Sequence, residues 1–224
     1  FMRLLIDRLL LSAELNIDKA TTIIIENPKA FRMVIKDLIE QENGQGGLLR
    51  IVEGDKELCL SKSAILVLNP YLADLNCRKF LQLAYSELQA MTGEFPEDQA
   101  VVLSAMTGYL SKICDQSRFD FLEFSAIPDW ASVFKAWGLR FEQAIPGLLP
   151  SLIQYLQLAA TFPQFKLIIF INLKQYLLPE EQFELFKMAE YLQLKVLLVE
   201  SAQNYKSDRE DLIIIDKDLC EIQS

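Results

Sequence analysis

Histidine is absent from all 224 residues. That absence removes Ser-His and Cys-His nucleophile pairs, imidazole acid–base chemistry and the commonest metal ligand. Glycine is scarce, at 8 residues, and no G-x-x-x-x-G-K run exists to wrap a phosphate in backbone amides. Cys59, Cys77, Cys114 and Cys220 show no CxxC spacing, so a zinc site would need all four from scattered positions. They read as free thiols of a reducing cytosol. No apolar run approaches the roughly 20 residues that cross a bilayer. Phe1 ahead of Met2 reads as a cloning remnant, and no signal peptide is expected. The chain is therefore expected in the cytoplasm, away from membranes, acting by binding rather than by catalysis.

What is present supports a large core. Hydrophobic residues make up 51% of the chain, and net charge is −9, spread along its length. Such a chain repels nucleic acid on average, so any DNA contact needs a local basic surface made by folding or by symmetry.

Lys166 to Ile215 reads as strand, helix, strand and hairpin. Leu167–Ile171 is continuously apolar, Pro179 opens a helix through Leu192, and Val196–Val199 is apolar again. Apolar strands joined through a helix imply a sheet buried on both faces, the frame of nucleotide-binding α/β proteins. Earlier, residues 2–6 and Thr21–Ile25 read as strands. Asn27 and Pro28 supply an N-cap and a first helical residue for a helix over 28–42, with Phe31, Val34, Ile35 and Leu38 inward. Leu48–Val52 and Glu57–Leu60 form a hairpin about Gly54-Asp55, and Ala64–Leu68 is a further strand.

From Asp74 to Phe162 strand signals nearly vanish. Helices are expected after Asp74, from Pro96, from Asp129 to Trp137 and over about 150–160. The fold expectation is an α/β, nucleotide-binding-like sheet domain lacking a phosphate loop, over residues 2–72 and 163–224. An α-helical domain over 73–162 is inserted in it.

At the turn where a phosphate loop would lie stands Glu26-Asn27-Pro28-Lys29. Glu26 repels phosphate, and Pro28 lacks an amide donor. Where a magnesium-holding carboxylate would end the strand Leu167–Ile171 stands Asn172, a neutral oxygen ligand at best. Neither nucleotide hydrolysis nor a nucleotide cofactor is expected. Lys29, Arg32 and Lys36 fall within about 60° of one another on their helix. This stripe suits a phosphate backbone, or is an ordinary solvated face, and Glu40 shares it. Asp115, Asp120, Glu123 and Asp129 cluster between two helices, as oxygen ligands for calcium or as caps and solvated loop acids. Trp130, Phe134, Trp137, Leu148, Leu149 and Tyr155 either pack within the insertion or form subunit contacts.

In order, Ile23–Phe31, the Asp74-Leu75-Asn76 entry to a helix with Leu83-Ala84-Tyr85, Phe134–Glu142, Lys166–Asn172, Leu178-Pro179-Glu180-Glu181, Val196–Glu200 and the closing strand Ile213–Asp218 resemble the small accessory adaptation protein of type II-A CRISPR systems. The resemblance implies an α/β head without ATP chemistry and a helical leg. It further implies a homotetrameric ring around the ends of linear double-stranded DNA, with basic side chains toward the hole and calcium in the assembly. The implied role is non-catalytic support of spacer acquisition beside the CRISPR integrase complex and the RNA-guided nuclease. On that footing Lys29, Arg32 and Lys36 are the expected principal DNA contacts, with Arg78, Lys79 and Lys112 on the leg as secondary ones. Asp120 and Glu123 are the best-matched calcium ligands, although Arg118, Phe121, Leu122 and Phe124 interrupt a stretch that is denser in acids in the family. Two other readings stand beside this one: a degenerate nucleotide-dependent phosphotransferase or nuclease, and a protein-only structural adaptor.

Overall fold

The computed structural model describes residues 2–142, 146–202 and 205–223. Two compact units emerge. One runs to Asp74 and resumes beyond Glu142; the other is Leu75–Glu142.

The first unit begins with β1 (Met2–Ile6) and β2 (Leu11–Leu15), which pair antiparallel around a 3-10 turn. β3 (Ala20–Ile25) is buried throughout and leads into α1 (Pro28–Glu42). β4 (Leu49–Glu53), β5 (Lys56–Glu57), the short α2 (Leu60–Ser63) and β6 (Ala64–Val67) follow. The expected strand Glu57–Leu60 stops at Glu57, because Leu60 turns inward to start α2.

The second unit holds α3 (Arg78–Met91), α4 (Pro96–Gln116) and α5 (Trp130–Ala136). Cys77, not Asp74, is the residue before α3. The chain then returns to the first unit with α6 (Leu148–Thr161), β7 (Leu167–Ile171), α7 (Pro179–Tyr191), β8 (Lys195–Glu200), β9 (Glu210–Ile215) and β10 (Glu221–Gln223). The sequence pattern alone puts α6 in the insertion. Instead Leu152, Tyr155, Leu156 and Ala159 are buried, and α6 packs on α7. The burial of this strongly apolar helix explains its place.

Two sheets organise the first unit. The larger has the order β10-β9-β3-β8-β7-β6, and the smaller β2-β1-β4-β5. β9, β3, β8, β7 and β6 run parallel, and β10 closes the edge antiparallel to β9. Right-handed crossovers assign the layers. The connection β3-α1-β6 runs one way along the sheet, whereas β7-α7-β8 and β8-β9 run the other way. α1 and α7 therefore lie on opposite faces. The side chains agree. Ile23, Ile25, Ile169, Ile171, Leu197 and Val199 form one core with Ala30, Val34 and Leu38 of α1 and with Leu4, Ala13 and Ile51 of the small sheet. Alternate residues Ile168, Phe170 and Leu198 are fully buried outside that core, on the other face. Burying a Phe or Leu side chain contributes roughly 1.5–3 kcal/mol, and this sheet buries them on both sides.

The loop between α1 and β4 docks tightly. The Asp37 carboxylate accepts from the Leu48 and Leu49 amides at 2.8 and 2.6 Å. Gln41 Nε2 donates to the Leu49 carbonyl. A Cβ on Gly47 would fall 2.2 Å from that Nε2, so any larger residue there would push the Gln41 amide out of its present position.

Candidate nucleic-acid interface

The frame has a topological switch point. β3 connects toward β6 and β8 toward β9, so the two central strands diverge at their carboxyl ends, where ligands of such sheets bind. Here the chain itself occupies the anion-binding groups. Asn27 Oδ1 accepts from the Lys29 and Ala30 amides at 3.0 and 3.1 Å, and the Asn27 carbonyl takes the Phe31 amide. Pro28 supplies no donor. Asn172 Oδ1 accepts from the Ser201 amide at 2.8 Å, which ties the ends of β7 and β8 together instead of facing a metal ion. Glu26 and Glu200 bring carboxyl groups to the same strand ends.

Beneath this rim lies a buried charged cluster. Lys174, in the turn after β7, binds the Glu210 carboxylate at 2.7 Å and the Tyr205 carbonyl at 3.0 Å. Both side chains of that pair are essentially inaccessible to water. Thr22 Oγ1 donates to Glu210 at 2.6 Å, as does the Ser207 amide. Glu200 Oε1 accepts from the Lys174 amide at 3.1 Å, while its Oε2 has no hydrogen-bond partner. Burial pushes the Glu200 carboxyl up to about 7, with the Glu210 charge a smaller contributor in the same direction.

The cations gather on the outer side of α1. Asn27 caps the helix, and Ala30, Val34 and Leu38 fix its inner face. Lys29, Arg32 and Lys36 are therefore turned to solvent, and all three are exposed. Arg32 Nε donates to the Pro28 carbonyl at 3.3 Å. Lys36 sits 3.5 Å from the Glu40 carboxylate yet keeps three quarters of its side chain accessible (75%), so that pair is weakly neutralised. Helical spacing gives no role to Arg8. In the fold its Nη1 lies 3.4 Å from Met33 Sδ, on the face of α1 next to Lys29 and Lys36. A cavity of about 440 Å³ lined by Arg8, Met33, Lys36, Asp37 and Leu48 separates hairpin from helix. No linear signal could have found Arg8, because its place depends on the β1–β2 hairpin folding beside α1.

In the second unit, Arg78 and Lys79 are the first residues of α3, Arg78 exposed and Lys79 half-buried. Cations at a helix start oppose the macrodipole, so helix stability does not account for them. Lys112 is exposed near the end of α4. Asp120 and Glu123 are both exposed in the irregular stretch between α4 and α5. Among the described residues no three His, Cys, Asp or Glu side chains converge as a metal site. Calcium takes six to eight oxygens, so these two carboxylates of one chain fall short of a site. Asp129 is committed elsewhere: it caps α5 through the Ser132 amide, and its bond to the Ser132 hydroxyl holds it below the usual carboxylate range.

The second unit also carries an unburied apolar surface. α4 spans 21 residues and fully buries none of them, although Leu103, Met106, Leu110 and Cys114 are half-buried. Val101, Tyr109 and Ile113 on it are exposed, as are Phe119, Ile127 and Trp137; Phe121 is 99% exposed. Internal packing centres on a small cluster. Tyr85 and Trp130 pack on Phe134, Asn76 exchanges two hydrogen bonds with the Phe141 backbone, and the Tyr85 hydroxyl donates to the Leu139 carbonyl.

A largely parallel sheet whose switch-point groups are occupied by the chain's own side chains, interrupted by a helical unit with exposed apolar residues, defines a class: a mixed α/β protein with an inserted helical unit. The family model described as CRISPR-associated protein (Cas_Csn2) matches residues 41–219, and the chain belongs to that family. It is 26% identical over 196 residues to the CRISPR-associated protein Csn2 of Enterococcus faecalis, covering 85% of this chain and 87% of the relative. It is 22% identical over 213 residues to the protein of that name from Streptococcus agalactiae, covering 93% of each. Among solved structures, Stu0660 of Streptococcus thermophilus superposes with a TM-score of 0.57 at 14% identity, over 96% of this chain and 75% of that one. That likeness concerns the mixed α/β fold. The protein thus has a CRISPR-associated role in defence. Among the described residues no helix is long and apolar enough to cross a membrane.

Proposed function

We propose that this protein is a non-catalytic, ring-forming binder of linear double-stranded DNA that supports spacer acquisition. The observation that carries this reading is the gathering of Lys29, Arg32 and Lys36, with Arg8 beside them, on the outer face of one helix. The chain as a whole is acidic, with net charge −9. One such patch binds DNA weakly. Repeated by symmetry around a channel, it would bind backbone phosphates regardless of sequence, while the acidic exterior keeps other nucleic acid away. Arg78, Lys79 and Lys112 are secondary contacts in this reading.

The unburied face of α4 supports self-association. This 21-residue helix has no fully buried residue and leaves Val101, Val102, Tyr109 and Ile113 exposed, and most helical stability in proteins comes from packing of an apolar face. Burial against a second copy would stabilise it. A homotetramer is the assembly proposed, acting beside the CRISPR integrase complex and the RNA-guided nuclease. Calcium, if used, would take Asp120 and Glu123 together with ligands from a second chain.

The test is a gel shift on a linear duplex and on its closed circular form. Threading over ends predicts binding to the linear form alone, and equal binding to both would reject it. Light scattering with calcium and then with chelator reports the assembly; a monomer under every condition would end the ring reading. The same exposed apolar face also favours a protein-only adaptor. That reading predicts a stoichiometric complex with the integrase or nuclease and no gel shift even at low salt.

A further inference from the structure

Among the described residues, the connection from β8 to β9 carries no helix. In a parallel sheet a helix normally covers such a crossing and buries apolar side chains beneath it. Here charged and polar groups hold the crossing down. Lys174 Nζ grips the Tyr205 carbonyl and the Glu210 carboxylate, and the Ser207 amide donates to Glu210 at 2.6 Å. Lys174 also offers its backbone amide to Glu200, the last residue of β8. One lysine therefore stands between two buried carboxylates. Glu210 is satisfied by Lys174, Thr22 and Ser207. Glu200 is met by backbone amides of Lys174 and Leu173 but by no side chain, and its second oxygen has no hydrogen-bond partner.

We propose that Glu200 is a proton-operated latch: neutral, it lets Lys174 pin the Tyr205–Glu210 segment onto the sheet, and ionised, it loosens that segment. Burial dictates the direction, since removing a carboxylate from water opposes its charge more than Lys174 and the nearby amides favour it. With Glu200 neutral the cluster holds one positive and one negative charge. With Glu200 ionised it holds one cation and two anions away from water, and a buried charge without its own partner is strongly destabilising. Opening the segment lets water reach Glu200.

The charged groups that face Glu200 are Lys174, from the turn after β7, and Glu210, from β9. β3 contributes the neutral Thr22 to the same cluster. Arg209, adjacent in sequence to Glu210, is held by Glu190 of α7 and stacks on the Phe183 ring, so it does not neutralise Glu200. Burial places the Glu200 transition near 7, so the latch would work in the ordinary range of cellular pH. The closed state is the acid-side state.

The segment carries its own reporters, since trypsin cuts after Lys206, which is exposed, and after Arg209. Cleavage at Lys206 would be followed by mass spectrometry at about pH 6 and about pH 8, normalised to a reference peptide in the same tube. Opening linked to one ionisation predicts roughly a tenfold faster normalised cleavage at the higher pH for the wild type. Glu200→Gln should cleave slowly at both. Equal pH ratios in wild type and variant would overturn the proposal. Carboxyl-carbon NMR of the wild-type protein is the second measurement and needs no variant. A Glu200 midpoint close to 7 supports the latch, and one near the ordinary value of 4.5 overturns it.

Discussion

The two units use the same kinds of residue to opposite ends. In the first, Ile168, Phe170 and Leu198 are fully buried, and even the charged Lys174 and Glu210 lie inside with partners. In the second, α4 has Val101, Tyr109 and Ile113 in water, and Phe121 is almost wholly exposed. The first is a finished core. The second is half an interface. Apolar content alone does not separate a domain that folds on itself from a surface that waits for a partner; the distinguishing quantity is how much of that content is covered.

The sharpest way to break this contrast is truncation of one aromatic in each unit. Phe170→Ala should cost about 3–5 kcal/mol in urea unfolding, since it removes a fully buried ring and leaves a cavity. Tyr109→Ala should leave monomer unfolding nearly unchanged and instead weaken self-association, read by sedimentation. Comparable stability losses for the two would show that α4 is covered within its own chain.

Protonation gives the next contrast. Glu200 is buried in the first unit, with its carboxyl pushed up to about 7 from an ordinary 4.5. Between those values the folded state holds a proton that the unfolded state has lost. Stability contributed by this group therefore falls as pH rises through that window, by up to about 3 kcal/mol. In Glu200→Gln the corresponding slope should vanish. Asp129, exposed in the second unit, moves the other way: the Ser132 hydroxyl bond holds it low, so the α5 cap is lost only as pH falls through the acid range. A wild-type stability that is flat between pH 4.5 and 7 would contradict the assignment of Glu200.

Smaller in free energy, and independent of stability, is the expected effect on DNA. Replacing Lys29, Arg32 and Lys36 with alanine should weaken binding uniformly across sequences. It should also reduce the log–log salt slope by about 2 to 3, at roughly 0.9 for each phosphate no longer neutralised. Arg8→Ala alone should reduce it by about 0.9 if the hairpin contributes to the same surface. Arg78→Ala and Lys112→Ala test whether the second unit also touches the duplex. An unaltered slope in the triple variant would move the interface off α1.

Local chemistry made much of the first unit legible. The β-branched run at Thr21–Ile25 and the Asn27-Pro28 start set β3 and α1, and the apolar runs at 167 and 196 set β7 and β8. β2 escaped notice. Leu11–Leu15 alternates buried and exposed residues over only five positions, and the turn before it places Leu10 at positive φ (49°), a conformation that turn propensities do not assign to leucine. α6 was legible as a helix but not as a member of the first unit, because an apolar helix says that it is buried and not against what. The candidate site divides the same way. The α1 stripe follows from helical spacing, whereas Arg8 and the Lys174–Glu200–Glu210 cluster join residues far apart in the chain through sheet topology. Lys174 in particular reads as an ordinary surface lysine until the crossing from β8 to β9 is known.

The finest test compares two helix caps made in the same way. Asn27 accepts from the Lys29 and Ala30 amides and also donates to the Lys217 carbonyl at 2.8 Å. Asp129 accepts from the Ser132 amide. Asn27→Ala should cost about 1 kcal/mol, and the loss should register in global unfolding, because α1 packs into the main core through Val34 and Leu38. It should also free two amides at the helix start and raise the affinity of that end for inorganic phosphate, although Glu26 and Pro28 limit the gain. Asp129→Ala should fray α5 alone, seen as faster amide exchange at Ser132 and Val133 with no change for β3 or β8. If both substitutions lower the protection of β3 equally, the helical unit is energetically continuous with the sheet, and the contrast between a closed core and an open interface fails at its root.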